Sequence, residues 1–536
     1  MNLLNKYDAI IVGAGFAGLY QLYSLKKKLN LSALIIEKGS NIGGTWFWNN
    51  YPGARCDSQS FVYSYFFSEQ LYKSWNWSEK YPTQKEIKKY LEHFTNLFNL
   101  RKNIMFNSIV IEAKFNSKKN LWQTKTSNND IYYSKFLITA AGCISATNIP
   151  DIKGLENFKG KYYHTGNWPK SNVDLKGKKV SLIGTGSSGI QIGPEIAKKA
   201  KELNIFQRSA SYSIPARNKK LTKKDNDNYK KNFIKLKKTV RSTPHGNFWN
   251  YPNLSAHNVS DHKRLLMYEQ AWQTGGLEFR GVFNNLHTDI NANKTVSAFI
   301  KSKIFNLVNN KENARILSNF KDPFGTKRPT LNSGYYEIFN KKKISLIDLQ
   351  SNPIIKIKDK NIITKNFSIE CDVIVFATGF DAITGPLLNM NLIGLNNLKL
   401  KDFWKNGPIS YLGLQIPFFP NLFTITGPGS PSVLTNMPVQ IEQHVDWITN
   451  CIKYINTNTI KNIMPNINSS LNWGKEVDKE MKNTLHSKAK SSWYLGANIS
   501  GKPQKFMPYA GGMLKYKIFC KKEVFIHLKR NLCLSY

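Results

Sequence analysis

The chain is short of acid. Against 76 lysines and arginines it carries 35 aspartates and glutamates, a formal net charge of +41. The lysines are scattered along the whole length, with only short clusters such as Lys341–Lys343. Charge without grouping describes a solvated surface. A nucleic-acid arm would show arginine-rich runs or basic strands studded with aromatics, and the sequence has neither, so no nucleic-acid partner is expected. Cysteine is also scarce. Cys56, Cys143, Cys371, Cys451, Cys520 and Cys533 lie far apart, with no Cys-x-x-Cys pair. This excludes a zinc ribbon and a compact disulfide framework, and it suits a cytoplasmic location. No HExxH-like motif is present, so no metal is expected. No apolar run reaches the ~20 residues of a spanning helix, so no membrane partner is expected. The apolar stretch Ala9–Val12 runs straight into glycines and reads as a strand, not a signal peptide.

What is present is length and apolar mass. The 536 residues exceed one ordinary core, and at roughly 100–200 residues each they predict two or three domains. Hydrophobic residues make up 41% and aromatics 13%, enough for enclosed pockets that take flat rings.

Two stretches share one design. Tyr7–Gly18 runs an apolar strand into Gly13-x-Gly15-x-x-Gly18, followed by a helix pattern over Leu19–Lys27 and a second strand, Ala33–Ile36. The first glycine allows a tight turn, the second lets backbone approach a pyrophosphate, and the third lets helix and strand pack closely. The helix N-terminus then faces the phosphates. Glu37 stands 19 residues past Gly18, where an acid accepts from a ribose 2′-hydroxyl. Lys178–Gly189 repeats the pattern with Gly184-x-Gly186-x-x-Gly189, a helix over Ile190–Lys201 and a strand over Asn204–Gln207. At the matching offset stands Arg208, whose forked donors suit a 2′-phosphate. The first site therefore suits an unphosphorylated dinucleotide and the second NADP(H). Two different dinucleotides in one chain imply electron transfer between them, with FAD as the usual partner of NADPH.

Longer strings carry a family resemblance. Phe158–Pro169, FKGKYYHTGNWP, matches the FxGxxxHTxxWP fingerprint of the type I Baeyer–Villiger monooxygenases at every fixed position. GGTWFWNNYPGARCD (43–57), GTKRP (325–329), DVIVFATGFD (372–381), GPGSPSVLTNM (427–437) and SWYLGANISGK (492–502) are similar to further segments of that family. The match runs from about residue 7 to about residue 515; Ser500, where the family often has proline, is a small departure.

The resemblance implies an α/β fold: two Rossmann-like dinucleotide-binding domains with a helical insertion in the second. It implies an FAD-binding domain over 1–145 and 387–536, an NADPH-binding domain over 155–222 and 332–386, and the insertion over 223–331, with helices near Tyr229–Lys238 and Val296–Val308. Strands are expected at Ile344–Asp348 and Val373–Phe376. His164 is expected on a linker, in a structural role. FAD is expected against Gly13, Gly15, Phe16, Gly18, Glu37, Thr45, Trp46, Asp57, Tyr63, Val110 and Met437. NADPH is expected against Arg55, Gly184, Thr185, Gly186, Ser187, Ser188, Gly189, Gln191, Gln207, Arg208, Lys327, Arg328 and Trp493.

The implied catalytic pair is Arg328 and Asp57. A guanidinium stays protonated and can stabilise the anionic C4a-peroxyflavin of this family; a carboxylate can hold it in place. The implied partners are a small ketone and O₂, and the implied product is an ester or lactone made by a monomer. Two alternatives stay open: an N- or S-oxygenase, and a basic flavoprotein without monooxygenase activity. The pocket depends on the loop Ser430–Met437 and on packing of the insertion, so the ketone is not readable from sequence.

Overall fold

The computed structural model describes residues 5–249, 251–525 and 532–535; the side chains of 522–535, Cys533 among them, lie outside the description. The fold is α/β and is built on two main sheets, of eight and five strands, beside three smaller ones.

The first sheet grows from the first glycine unit. Lys6–Val12 pairs in parallel with Ala33–Ile36 on one side and with Ile131–Thr139 on the other. Continuous Ile, Leu and Val runs are what a strand covered on both faces requires, and Ala33–Ile36 is buried at every position. Leu121–Thr126 and Val110–Asn116 extend the sheet as antiparallel strands. Far later in the chain, Asn391–Ile393 and Leu422–Thr424 add to this same sheet. The expected helix over Leu19–Lys27 forms as Phe16–Lys28 and packs against the long helix Met437–Thr457.

The second sheet has five parallel strands, in the order Ile344–Asp348, Glu202–Gln207, Lys179–Ile183, Val373–Phe376, Lys161–His164. The last of these corrects an expectation. The fingerprint is not on a linker, because Lys161–His164 is an edge strand in register with Val373–Phe376. His164 is 4% exposed, and its Nδ1 accepts from the Gly166 N–H at 3.0 Å. Burial pushes its pKa down to about 4, so the imidazole is neutral near neutral pH.

The segment 223–331 is helical. Tyr229–Lys238 is not one helix, since the chain breaks at Asn232 between Lys223–Lys231 and Phe233–Arg241. The expected helix at Val296–Val308 begins earlier, at Ile290, where Asp289 caps it through the N–H groups of Asn291 and Ala292. The insertion closes against the second unit through a parallel pair, Ser213–Pro215 with Thr330–Asn332. Cys56, Cys143, Cys371, Cys451 and Cys520 are buried and form no disulfide.

Candidate active site

One cavity of about 1580 Å³ joins the two glycine loops. Single-ligand pockets run roughly 300–1,000 Å³, so this one is large enough for two sizeable ligands side by side.

The loops repeat each other in detail. Gly13 and Gly184 have φ of +105° and +108°, which only glycine adopts without strain. A Cβ on Gly13 would lie 2.7 Å from the Ala140 carbonyl oxygen, and one on Gly184 2.4 Å from that of Ala377. Gly18 and Gly189 do not line the cavity. A Cβ there would strike the carbonyls of Gly13 and Gly184, at 1.9 and 2.1 Å, so they set helix–strand packing. The helices begin after Gly15 and Gly186, neither of which supplies a side-chain cap. Their first N–H groups are therefore open to an anion in the cavity. Residues Ser187 and Ser188 line the second loop. Thr185 also lines it, and its hydroxyl donates to the Ser209 carbonyl at 3.3 Å. Such a cradle fits the pyrophosphate of a dinucleotide twice over.

The strand ends differ. Glu37 is 4% exposed, and its carboxylate accepts from the N–H groups of Ala14 (2.6 Å) and Gly39 (2.7 Å). Burial raises its pKa despite these bonds. Arg208 is exposed at the cavity rim. Its neighbour Gln207 departs from expectation: it is buried and donates to the Ile316 carbonyl at 2.7 Å, away from the cavity, which it does not line.

Aromatic side chains wall the first half. Trp46 Nε1 donates to the Tyr63 hydroxyl at 3.2 Å, and Phe16 meets the Tyr63 ring edge-on at 5.3 Å. Thr45, Val110 and Met437 also face this space. Arg55 lines the cavity too, but its guanidinium is committed to Glu79 at 2.9 Å and to the Tyr81 carbonyl at 3.1 Å. Gln191 ties the two units together, accepting from Tyr51 at 2.8 Å and donating to the Arg55 carbonyl at 3.0 Å.

Arg328 and Asp57 stand 271 residues apart in sequence and meet in the cavity. Arg328 holds Asp57 through two N–H groups, Nε and Nη2, the latter at 2.9 Å. Nη1 reaches the Val433 carbonyl at 3.4 Å. The guanidinium side chain is 21% exposed. Burial works against its charge, but Asp57 outweighs burial and the pKa is raised. The cation is therefore permanent and fixed in direction.

A strap over the cavity was only partly legible. Lys327 donates to Ser491 at 2.7 Å and pairs with the buried Asp322 at 3.0 Å. Ser492 donates to the Thr326 carbonyl at 2.9 Å. At its other end Asn498 donates to the Phe380 carbonyl at 2.8 Å, and Lys502 pairs with Asp381. Trp493 and Asn498 face the cavity from this strap. Asp322, Ser491 and Lys502 escaped the sequence reading of the site, because polar residues without a motif carry no local signal; only the 492–502 string hinted at them.

A sheet pair with two phosphate cradles opening on one cavity, and a fixed cation where they meet, defines a flavin- and nicotinamide-dependent oxidoreductase. The family model described as pyridine nucleotide-disulphide oxidoreductase matches residues 10–242. The chain is 37% identical to cyclohexanone 1,2-monooxygenase from Acinetobacter sp., covering 98% of this chain and 97% of that one. It superimposes on an oxidized steroid monooxygenase bound to NADP with a TM-score of 0.93 at 40% identity, covering 99% of both. It also superimposes on OTEMO in complex with FAD and NADP, with a TM-score of 0.94 at 32% identity and 99% of both chains covered. The chain belongs to the type I Baeyer–Villiger monooxygenases. It is an NADPH-dependent flavoprotein monooxygenase with FAD and NADPH as cofactors. Among the described residues no helix is long and apolar enough to cross a membrane.

Proposed function

We propose that Arg328, held by Asp57, is the catalytic cation of a ketone-to-ester or ketone-to-lactone oxidation. The observation that carries this is the Arg328–Asp57 pair in the cavity both glycine loops share. When bound, flavin and nicotinamide would supply the electrons and activate the oxygen. One oxygen atom of O₂ enters between the carbonyl carbon and one substituent, and the other leaves as water.

The chain's own residues do the placing. Arg328 faces the ketone oxygen as it gains negative charge, and a fixed donor there needs no reorganisation at the moment of reaction. Asp57 keeps the guanidinium aimed. The N–H groups after Gly15 and Gly186 receive the two pyrophosphates. Glu37 receives the ribose hydroxyls of FAD, and Arg208 the 2′-phosphate of NADPH, with Lys327 close by. Trp46, Tyr63 and Phe16 enclose the flavin ring. The strap carrying Trp493 and Asn498 would lie against the nicotinamide when that is bound and would limit water there.

We infer that residues 1–145 with 387–536 form the FAD-binding domain and 155–222 with 332–386 the NADPH-binding domain. The membership of the two sheets supports this. A cytoplasmic monomer is the proposed working form, supported by five unbridged thiols and by a cavity contained in one chain.

The test is a panel of ketones, thioethers and tertiary amines given to the holoenzyme with NADPH and O₂, with products read by mass and position of the added oxygen. Esters or lactones are expected. Oxygen found only on sulfur or nitrogen would overturn the proposal.

A further inference from the structure

A second, smaller cavity of about 260 Å³ lies beside the first. It is lined by Arg280, His245, His287 and His486, with Phe283 and Leu434 adding apolar surface. The two cavities meet at Thr435, which lines both, with Val433 lining the first and Leu434 the second. The Val433 carbonyl at this junction is the one that receives Arg328.

Arg280, half-buried at the small cavity, forms no ion pair among the described residues. The Arg280 Nε is buried and has no hydrogen-bond partner, and the same is true of His486 Nδ1. The carboxylates of this region are engaged elsewhere: Glu278 with Lys80, Asp57 with Arg328 and Asp322 with Lys327. Unpaired buried polar groups are rare in native proteins and point to a missing partner.

The histidines are not a metal set, since among the described residues no cluster of His, Cys, Asp and Glu is arranged to hold an ion. Burial pushes His245 and His486 down to about 4, with the Arg280 charge adding to the effect. Burial, then Arg280, holds His287 far below its ordinary value. Neutral imidazoles offer N–H donors without charge. The cavity thus presents one net positive charge, several donors and an apolar flank. That is the complement of a carboxylate on a short alkyl chain.

We propose that this cavity is a subsite for a substrate carboxylate, so that the physiological ketone is a keto acid anchored by Arg280 while its carbonyl faces Arg328. This rests on the ketone-oxidation proposal above.

The test compares straight-chain keto acids of increasing length, each paired with its methyl ester, as substrates of the holoenzyme. At one chain length the acid should exceed its ester in kcat/KM by about 10–100-fold, the range of one charge-assisted hydrogen bond. Arg280→Met should bring the acid-to-ester ratio to about one, and Arg280→Lys should restore part of it. Circular dichroism melts establish that both variants fold. Acids no better than esters at every length, or a ratio that Arg280→Met leaves unchanged, would overturn the subsite. A parallel binding titration with the same acids separates this inference from the reaction itself. Arg280-dependent binding without oxygen insertion would support the subsite and overturn only the ketone-oxidation proposal.

Discussion

The two dinucleotide clefts are built alike and finished differently. Gly13 and Gly184 share a backbone conformation, and each sits against the carbonyl of the alanine just past the end of the neighbouring strand. What separates them is one position at the end of the next strand. Glu37 is buried and held by two backbone N–H groups, while Arg208 lies exposed at the rim. A buried, prearranged acceptor suits a cofactor that stays. An exposed arginine suits one that arrives from solvent, is drawn in by charge and leaves. On the proposed assignment the glycine scaffold would hold a pyrophosphate in both clefts, and the strand-end residue would set which nucleotide is taken and how freely it exchanges.

The sharpest break is made where the clefts meet. Arg328→Ala should lower ketone oxygenation by about 10²–10³-fold, as loss of one preorganised charge-stabilising donor does. NADPH affinity should change far less, which a KM-against-kcat comparison will read. Next in size, Gly13→Ala should abolish FAD retention, since the new Cβ would meet the Ala140 carbonyl at 2.7 Å in a left-handed conformation. The flavin absorbance of purified protein reads this directly.

Arg208→Gln tests the contrast itself. KM for NADPH should rise by about 10–100-fold while KM for NADH is barely altered, because only the 2′-phosphate loses a charge-assisted partner. Equal losses with both nucleotides would remove the assignment of Arg208. Gly186→Ala should be milder for the fold, since a Cβ there meets nothing within 4 Å. It should raise KM for NADPH with the melting temperature unchanged. Smallest of all, raising salt should weaken NADPH binding by a few-fold through screening at the exposed arginine, and should leave FAD in place.

Much of this was legible because the strongest signals are local. A glycine that must accept positive φ, and an apolar strand leading into it, are written within a dozen residues. Ala33–Ile36, Ile344–Asp348 and Val373–Phe376 appear with the expected bounds. Helix starts were read late, at Leu19 rather than Phe16 and at Ile190 rather than Ser187, because each helix begins directly after its second glycine. The fingerprint strand Lys161–His164 was missed as a strand because its pairing partner lies 212 residues on, from Lys161 to Val373. Gln207 alternates to the far face of its strand, a matter of which side the insertion covers. Arg280 gave no signal among so many basic residues; only its enclosure sets it apart.

Sequence alone determined the two phosphate cradles and the opposite charges of Glu37 and Arg208, since backbone conformation and side-chain chemistry at those positions depend on near neighbours. Tertiary structure alone decided that Arg328 meets Asp57, that the strap is tied at both ends, and that the Arg280 Nε is enclosed without a partner among the described residues. Those contacts join residues 118 to 271 positions apart. Their energy comes from burial and pairing that exist only once both sheets and the insertion have packed.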